Sequence, residues 1–355
     1  MKALIFTSEL KFSGPNNVIL SLVKGLSRFN IEVKVCGLRY RKNNDYINRV
    51  IEYGGTCETP KKYEPPMLYM IKTLLNFKAD FVSSHGIRSD LFLCFFSFFI
   101  NLNIISTVHN VPDEDYRSRY NPLVSFLMIN FHYLVFKRHK IKKVAVSNNV
   151  KNKLVLKSAK NIVTIYNGVI PENYDNSSID KELIENSLRL ESGKKRVVFC
   201  GHLTQIKQPL IVQEVAIRFP QYDFLILGDG PQKCKLNPNI PNLKILGRVS
   251  NVHEYMLASD YFIMPSITEG MPMAFIESML ANLYPICSDI AIFKELSKIE
   301  GISMSLFKLN DINTLHNIFK NLDAVNHSIN NRRIALKMFS DISMSKQYIK
   351  LANNE

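Results

Sequence analysis

The sequence lacks most of the features that would settle its class at a glance. Its six cysteines stand singly, at 36, 57, 94, 200, 234 and 287, and none forms a CxxC pair. A zinc site or a redox dithiol therefore has no support. Cys36, Cys200 and Cys287 fall in strand-like apolar runs, where a reduced, buried thiol is the ordinary occupant, and a reducing compartment fits. Long hydrophobic runs are missing too. The densest, LFLCFFSFFI at 91–100, gives way to Asn101 and Asn103, whereas a spanning helix needs roughly 20 apolar residues. The opening residues run directly into polar ones and read as lacking a secretory core and cleavage site. There is no GxGxxG fingerprint, no Walker loop, no internal repeat and no low-complexity tract.

Acidic residues are scarce in one half only. Residues 1–168 hold 25 Lys and Arg against 11 Asp and Glu, and residues 169–355 hold 20 of each, so the whole excess of +14 lies in the first half. Such asymmetry points to an anionic partner for that half: nucleic acid, anionic lipid or a phosphorylated acceptor. The length suits two domains of ordinary size, and 46% hydrophobic residues suffice for two cores.

Short β-rich runs alternate with amphipathic stretches. Strands are expected at 3–7, 32–37, 81–84, 104–108 and 143–147, with helices at 16–29 and 121–138 among them. The pattern restarts at Arg196, with strands at 196–200, 224–227, 243–246, 261–264 and 284–287 and helices at 208–219, 252–258 and 272–281. Strand–helix–strand repetition predicts parallel sheets covered on both faces, hence two doubly wound, Rossmann-like α/β domains. The expected boundaries are 1–170 for the first domain, 171–194 for a linker and 195–338 for the second. A C-terminal helix over 339–355 is expected to return to the first domain. Two such domains are expected to face a cleft, with ligands at the carboxyl ends of the strands.

Residues just after strands are therefore the candidates. Gly14 lies in the loop between the first strand and its helix, where backbone can approach an anion closely. A tight structural loop is an equal reading. Gly201, His202 and Lys207 follow the strand 196–200 and suit a diphosphate, although Lys207 could equally be a solvated first-turn lysine. The stretch MPSITEGMPMAFIE at 264–277 is the most informative. Glu269 and Gly270 occupy a loop, Pro272 suits the first helical position, and Glu277 sits on an otherwise apolar helix. A carboxylate there calls for a partner. His109 and His85 end successive strands. Asp113-Glu114-Asp115 mimics a DxD metal motif but reads as a polar loop, so no metal ligand is assigned.

Taken together, these segments resemble the retaining glycosyltransferases of family 4, which have the GT-B fold. The resemblance rests on EGMPMAFIESMLANLYPICSDI with its Glu-x7-Glu spacing from Glu269 to Glu277, and on STVHN at 106–110, VAVSNNV at 144–150, YNGV at 166–169, GHLTQIK at 201–207 and LGDGP at 227–231. The segments run through most of the chain in the family's order. The resemblance implies that Glu269, with Gly270, Met271, Pro272 and Met273, holds the donor sugar and that Glu277 holds the ribose. Lys207 would neutralise the diphosphate, the Gly14 loop would close over it, and His109 would contact the sugar near the reacting carbon. His202 stands where the family often has arginine, and Ser13-Gly14-Pro15 replaces its usual paired glycine. The implied chemistry is metal-independent, needs no cofactor and keeps the anomeric configuration by front-face attack. Gly-Met-Pro after Glu269 leans towards a UDP-sugar over GDP-mannose.

The acceptor and the place of action follow from the first half. The apolar segments 91–100 and 121–136 adjoin a cluster of Lys137, Arg138, Lys140, Lys142 and Lys143, a combination that suits binding to an anionic membrane surface. An ordinary core helix with a solvated basic end is the competing reading. The expectation is a peripheral, cytoplasmic enzyme on the inner face of the plasma membrane that uses a lipid-linked glycan acceptor in cell-surface polysaccharide synthesis. A nucleotide-sugar epimerase of the same fold, a non-catalytic sugar-nucleotide binder and a nucleic-acid binder are the alternatives. The last lacks any recognised nucleic-acid module.

Overall fold

The computed structural model describes residues 1–117, 120–175, 181–322 and 330–355. The chain divides into two compact units, one of Met1–Ile170 with Met338–Glu355 and one of Pro171–Lys337. Residues 176–180 of the expected linker and 323–329 of the expected second domain lie outside the described residues.

The first unit is built on seven strands: β1 (Lys2–Thr7), β2 (Glu32–Gly37), β3 (Gly55–Glu58), β4 (Phe81–His85), β5 (Ile104–Val108), β6 (Ile141–Ala145) and β7 (Ile162–Thr164). Between them run α1 (Gly14–Ser27), α2 (Asp45–Glu52), α3 (Pro66–Phe77), α4 (Ile87–Phe96), α5 (Pro112–Arg117), α6 (Pro122–Lys137) and α7 (Asn148–Leu156). The strand order is β3-β2-β1-β4-β5-β6-β7, and every pairing is parallel. Central strands β4 and β5 are buried along their whole length, as expected of a sheet covered on both faces.

The second unit opens with a 3-10 turn, Pro171–Tyr174, and α8 (Lys181–Ser187). Six strands follow: β8 (Arg196–Cys200), β9 (Asp223–Leu227), β10 (Leu243–Gly247), β11 (Tyr261–Met264), β12 (Tyr284–Ser288) and β13 (Ser305–Phe307). Their helices are α9 (Pro209–Arg218), α10 (Val252–Leu257), α11 (Met273–Leu280), α12 (Ala291–Leu296), α13 (Ile312–Lys320) and α14 (Asn331–Met338). The sheet is again parallel, in the order β10-β9-β8-β11-β12-β13. Phe199, Phe224, Ile226, Ile263 and Ile286 fill one core with Val212 and Val215 of α9 and Leu315 and Phe319 of α13.

The two sheets establish the expected fold class of two parallel, Rossmann-like layers. Some details differ from the sequence reading. The strand expected at 143–147 runs from Ile141 to Ala145 instead, and so takes Lys142 into the sheet beside Lys143. Pro272 caps α11 rather than forming its first residue.

The last helix, α15 (Asp341–Ala352), packs on α1 in the first unit. Glycine makes the crossing possible. A Cβ on Gly25 would stand 2.5 Å from the Asp341 carbonyl oxygen, and one on Gly168 would stand 2.5 Å from that of Ser340. Polar contacts then fix the helix. Arg28 pairs with the fully buried Asp341 at 2.9 Å, Thr107 meets the Tyr348 hydroxyl at 2.7 Å, and Asn103 donates to the Ala352 carbonyl at 2.7 Å. Gly25→Val is expected to destabilise this unit by about 2–3 kcal/mol through overpacking. Gly14→Ala, whose Cβ meets nothing within 4 Å, is expected to leave stability unchanged. Urea midpoints of the two variants check the contrast, and equal midpoints would refute the close crossing.

Candidate active site

In the second unit the chain winds from β8 outward through β9 and β10, then returns to β11 and winds the other way. The crevice between the carboxyl ends of β8 and β11 is thus the topological switch point, where open α/β sheets bind ligands. Both flanking loops carry candidates. After β8 come Gly201, His202 and Lys207, and α9 then starts with no side-chain cap on its first N–H groups. After β11 come Glu269, Gly270, Met271 and Pro272, and α11 starts at Met273, likewise without a side-chain cap. Two helix N-termini beside one crevice favour an anion there.

The loops are tied to each other. The Ile267 N–H donates to the Ile206 carbonyl at 2.8 Å, and the Lys207 ammonium forms a close ion pair with Glu269. Beneath Gly201 the LGDGP segment crosses backbone on backbone. A Cβ at Gly228 would fall 1.9 Å from the Gly201 oxygen, and one at Gly230 would fall 2.6 Å from the Leu203 oxygen. Both glycines also have positive φ, at 138° and 154°. Asp229, between them, is held below the usual carboxylate range by the Gly230 N–H, then by Lys233 and the nearby His202. His202 itself is exposed.

Glu277 lies one turn into α11, among Phe275, Ile276 and Met279. Burial pushes its carboxyl up to about 7, against a hydrogen bond from Tyr174 that favours the charged form. Tyr174 comes from the 3-10 turn before α8, a contact with no signal in the sequence. Ser266, buried at the end of β11, has a hydroxyl oxygen without a hydrogen-bond partner. The crevice therefore brings Gly201, His202, Lys207, Glu269, Gly270, Met271, Pro272, Met273 and Glu277 to one end of one sheet.

Gly14 and His109 belong to the first unit, at the ends of β1 and β5. Gly14 opens α1 rather than lying in the loop before it, and that loop is held by Asn16, which accepts from the Thr7 hydroxyl at 2.8 Å and donates to the Glu9 and Lys11 carbonyls at 2.7 and 2.6 Å. His109 Nε2 meets His85 Nδ1 at 2.9 Å, and His85 Nε2 meets the Ser83 hydroxyl at 3.2 Å. Burial lowers both rings, His109 to about 4, so both are neutral near pH 7. A buried network runs behind them. Ser84 donates to Asp90 at 2.5 Å, Asp90 meets His132 at 2.9 Å, and His132 meets the Tyr116 hydroxyl at 2.8 Å. Neither Asn16 nor this network was identifiable from residue spacing.

The basic cluster separates into two parts. Lys137 and Lys140 are exposed, and the Arg138 guanidinium lies 3.7 Å from the Phe98 ring centre. Lys142 and Lys143 do not belong with them, which corrects the expectation. Lys143 is fully buried, and its ammonium donates to the Arg138 and Ile141 carbonyls at 2.5 and 2.8 Å, with burial lowering it to about 8. Lys142 is half-buried and donates to the Leu351 carbonyl at 2.7 Å. Both are held by backbone oxygens because they lie within β6. Asp113-Glu114-Asp115 is likewise no loop; it lies in α5, where acidic residues suit the first turn. Among the described residues no group of three His, Cys, Asp or Glu is placed to hold a metal, and no helix is long and apolar enough to cross a membrane.

The chain thus carries two parallel-sheet, Rossmann-like domains, the second with a crevice at its switch point that suits an anion. Comparison with known proteins agrees. Residues 12–173 match the family described as Glycosyltransferase Family 4, and residues 194–322 match Glycosyl transferases group 1. The chain belongs to the glycosyltransferases with the GT-B fold. It is 27% identical over 307 residues to the O-antigen biosynthesis glycosyltransferase WclY of Escherichia coli, covering 83% of this chain and 82% of that one. It is 32% identical over 169 residues to the UDP-Gal:alpha-D-GlcNAc-diphosphoundecaprenol alpha-1,3-galactosyltransferase of Escherichia coli, covering 44% and 43%. Among solved structures, Anabaena Alr3699/HepE in complex with UDP-glucose is similar over 100% of both chains, with a TM-score of 0.81 at 15% identity. At that identity the likeness is one of fold.

The raised Glu277 has a consequence for stability. Between the ordinary 4.5 and about 7, the folded protein keeps a proton that the unfolded chain has released. Stability therefore falls as pH rises through that window, and the cost persists above it. Glu277→Gln is expected to leave stability unchanged at pH 4 and to raise it by about 2 kcal/mol at pH 8 in the unliganded protein. Thermal unfolding at the two pH values measures this; an equal effect at both would show that the carboxyl is ordinarily charged.

Proposed function

We propose that the chain transfers a hexose or N-acetylhexosamine from a UDP-sugar to a lipid-linked or oligosaccharide acceptor in the synthesis of a cell-surface polysaccharide, with retention of anomeric configuration. The observation that carries this reading is the meeting of Lys207 and Glu269 at the switch point of the second sheet, flanked by two helix N-termini without side-chain caps. Supporting it, relatives are described as acting in O-antigen biosynthesis or on a diphosphoundecaprenol-linked sugar, and HepE was solved with UDP-glucose and with UDP and glucose. In this reading residues 195–338 hold the donor, 171–194 are linker, and 1–170 with 339–355 serve the acceptor.

The residues then divide the work. The incoming diphosphate competes with Glu269 for Lys207. Its charge is met by that ammonium and by the α9 and α11 N–H groups, a preorganised electrostatic role. Glu269, released from the ion pair, accepts hydroxyls of the donor sugar together with the backbone of Gly270 to Met273. Glu277 accepts the ribose hydroxyls, and the Gly14 loop covers the phosphates. His109, neutral and held by His85, hydrogen-bonds the sugar near the reacting carbon. In front-face attack the acceptor oxygen bonds to the anomeric carbon as the bond to the diphosphate breaks. The acceptor's proton passes to the departing phosphate oxygen.

The reading places the enzyme on the inner face of the plasma membrane. On α6, Leu123, Phe126, Leu127, Phe131 and Leu134 are exposed, as are Phe95, Phe98 and Phe99 at the end of α4. Lys137, Arg138 and Lys140 stand beside them, a composition suited to the interface of an anionic bilayer.

A thermal-shift screen against UDP-, GDP- and ADP-sugars is expected to show stabilisation by a UDP-sugar. Lys207→Ala is expected to weaken that binding at least about tenfold, the loss of a charge-assisted hydrogen bond. Transfer, followed by release of free nucleotide, is expected to survive excess EDTA; a strict need for a divalent cation would refute the electrostatic role given to Lys207. The protein is expected to sediment with anionic but not neutral vesicles, less so at high salt. Phe98→Ser with Phe99→Ser is expected to reduce that binding while leaving donor affinity unchanged, and full vesicle binding by this variant would remove the apolar face from the account.

A further inference from the structure

A cavity within the first unit lies beside α5, the helix that follows β5. It has a volume of about 700 Å³ and is bounded by α5, α6 and the residue that follows α7. Its polar wall consists of Asp113, Arg117, Lys137 and Lys157, and Tyr133 and Phe126 contribute to the rest. We infer that this cavity binds the phosphate group of a membrane amphiphile whose apolar tail lies along the exposed face of α6 and the end of α4. The inference rests on the proposed use of a lipid-linked acceptor and names the place where the phosphate of that acceptor is held.

Charge is the first argument. Three cations and a single carboxylate line the cavity, a net charge of +2 that suits an anion. Asp113 acts as the organiser. It accepts from the Tyr133 hydroxyl at 2.6 Å, while Arg117 and Lys157 reach it only at 3.8 and 4.0 Å. Ion pairs this long and this exposed are worth little, so the cations can turn to a dianion at small cost. A preference of helix ends for cations accounts for Lys137 and Lys157. It accounts for Arg117 too, the last residue of α5, but not for the convergence of three helix ends on one cavity.

Shape and hydrophobicity supply the second argument. The volume is many times the roughly 30 Å³ of one water, enough for a phosphate or diphosphate. Phe126 belongs both to the cavity wall and to the exposed apolar face, where it is 63% exposed. The cavity therefore opens onto the row of Leu123, Leu127, Phe131 and Leu134. A helix with apolar residues on every side belongs in a core or in lipid, and α6 is half-exposed. An anionic head in the cavity with a tail on this row satisfies both surfaces at once. A free phosphate would leave the row uncovered.

The test uses the full-length protein and three soluble probes: farnesyl phosphate, farnesol and inorganic phosphate, titrated calorimetrically. Farnesyl phosphate is expected to bind at least about tenfold more tightly than either of the others. Arg117→Ala with Lys157→Ala is expected to abolish that preference, with UDP-sugar thermal shifts retained as proof of folding. Asp113→Asn keeps the acceptor for Tyr133 but removes the negative charge, and is expected to tighten farnesyl phosphate binding by about fivefold. Equal binding of farnesol, equal binding of inorganic phosphate, or wild-type affinity in the double variant would each overturn the inference. A protein that transfers sugar to a lipid-linked acceptor yet fails these titrations keeps its proposed activity and loses this pocket. One that binds farnesyl phosphate as expected but transfers no sugar keeps the pocket and loses the activity.

Discussion

The ion pair between Lys207 and Glu269 joins two loops that leave the second sheet in opposite directions, and the candidate site depends on it. Both side chains are largely shielded, at 22% and 11% exposure, so each would be costly to leave alone. The pair exists because the winding reverses between β8 and β11, which sets their loops side by side over a crevice that no crossover covers. The glycines of LGDGP complete the arrangement. They let one backbone lie directly on another, which holds the Gly201 turn in place without occupying the space above it. An anion entering this crevice meets a cation, two helix N-termini and a carboxylate ready to be displaced.

The first unit solves a different problem with neutral groups. His85 and His109 are buried at adjacent strand ends, where a positive ring would be poorly solvated. They share a hydrogen bond that orients both while leaving them uncharged. Asp90 lies nearby, satisfied by Ser84 and His132, and the network continues to Tyr116 on α5. The loop after β5 is therefore anchored from below, and the position of His109 depends on residues as distant in sequence as His132.

The surplus positive charge of the first half does not form one uniform patch. Lys142 and Lys143 spend their charge on backbone oxygens inside the fold. Some of the cations that remain accessible, Lys137 and Arg138 at the end of α6 and Arg117 and Lys157 nearby, adjoin its apolar face or line the cavity beside it. Charge and hydrophobicity thus meet on one side of one unit, which is why both the interfacial reading and the phosphate pocket arise from the same helix.

Strands buried on both faces were legible because they are rich in β-branched and aromatic residues: Ile104–Val108, Arg196–Cys200 and Tyr261–Met264 needed no tertiary information to locate. The edge strands Gly55–Glu58, Ile162–Thr164 and Ser305–Phe307 were not, because short, half-exposed segments leave no such pattern. The loop chemistry around Glu269 and Glu277 could be read from spacing, since strand, loop and helix follow one another in the chain. The contacts of those residues could not. That Glu269 pairs with Lys207, that Tyr174 reaches Glu277, and that His85 supports His109 are matters of strand order, which brings together segments far apart in sequence. Lys143 is the clearest case: the sequence placed it both in a strand and in a basic surface cluster, and only the fold, with the Arg138 and Ile141 carbonyls within reach of its ammonium, decided for the core.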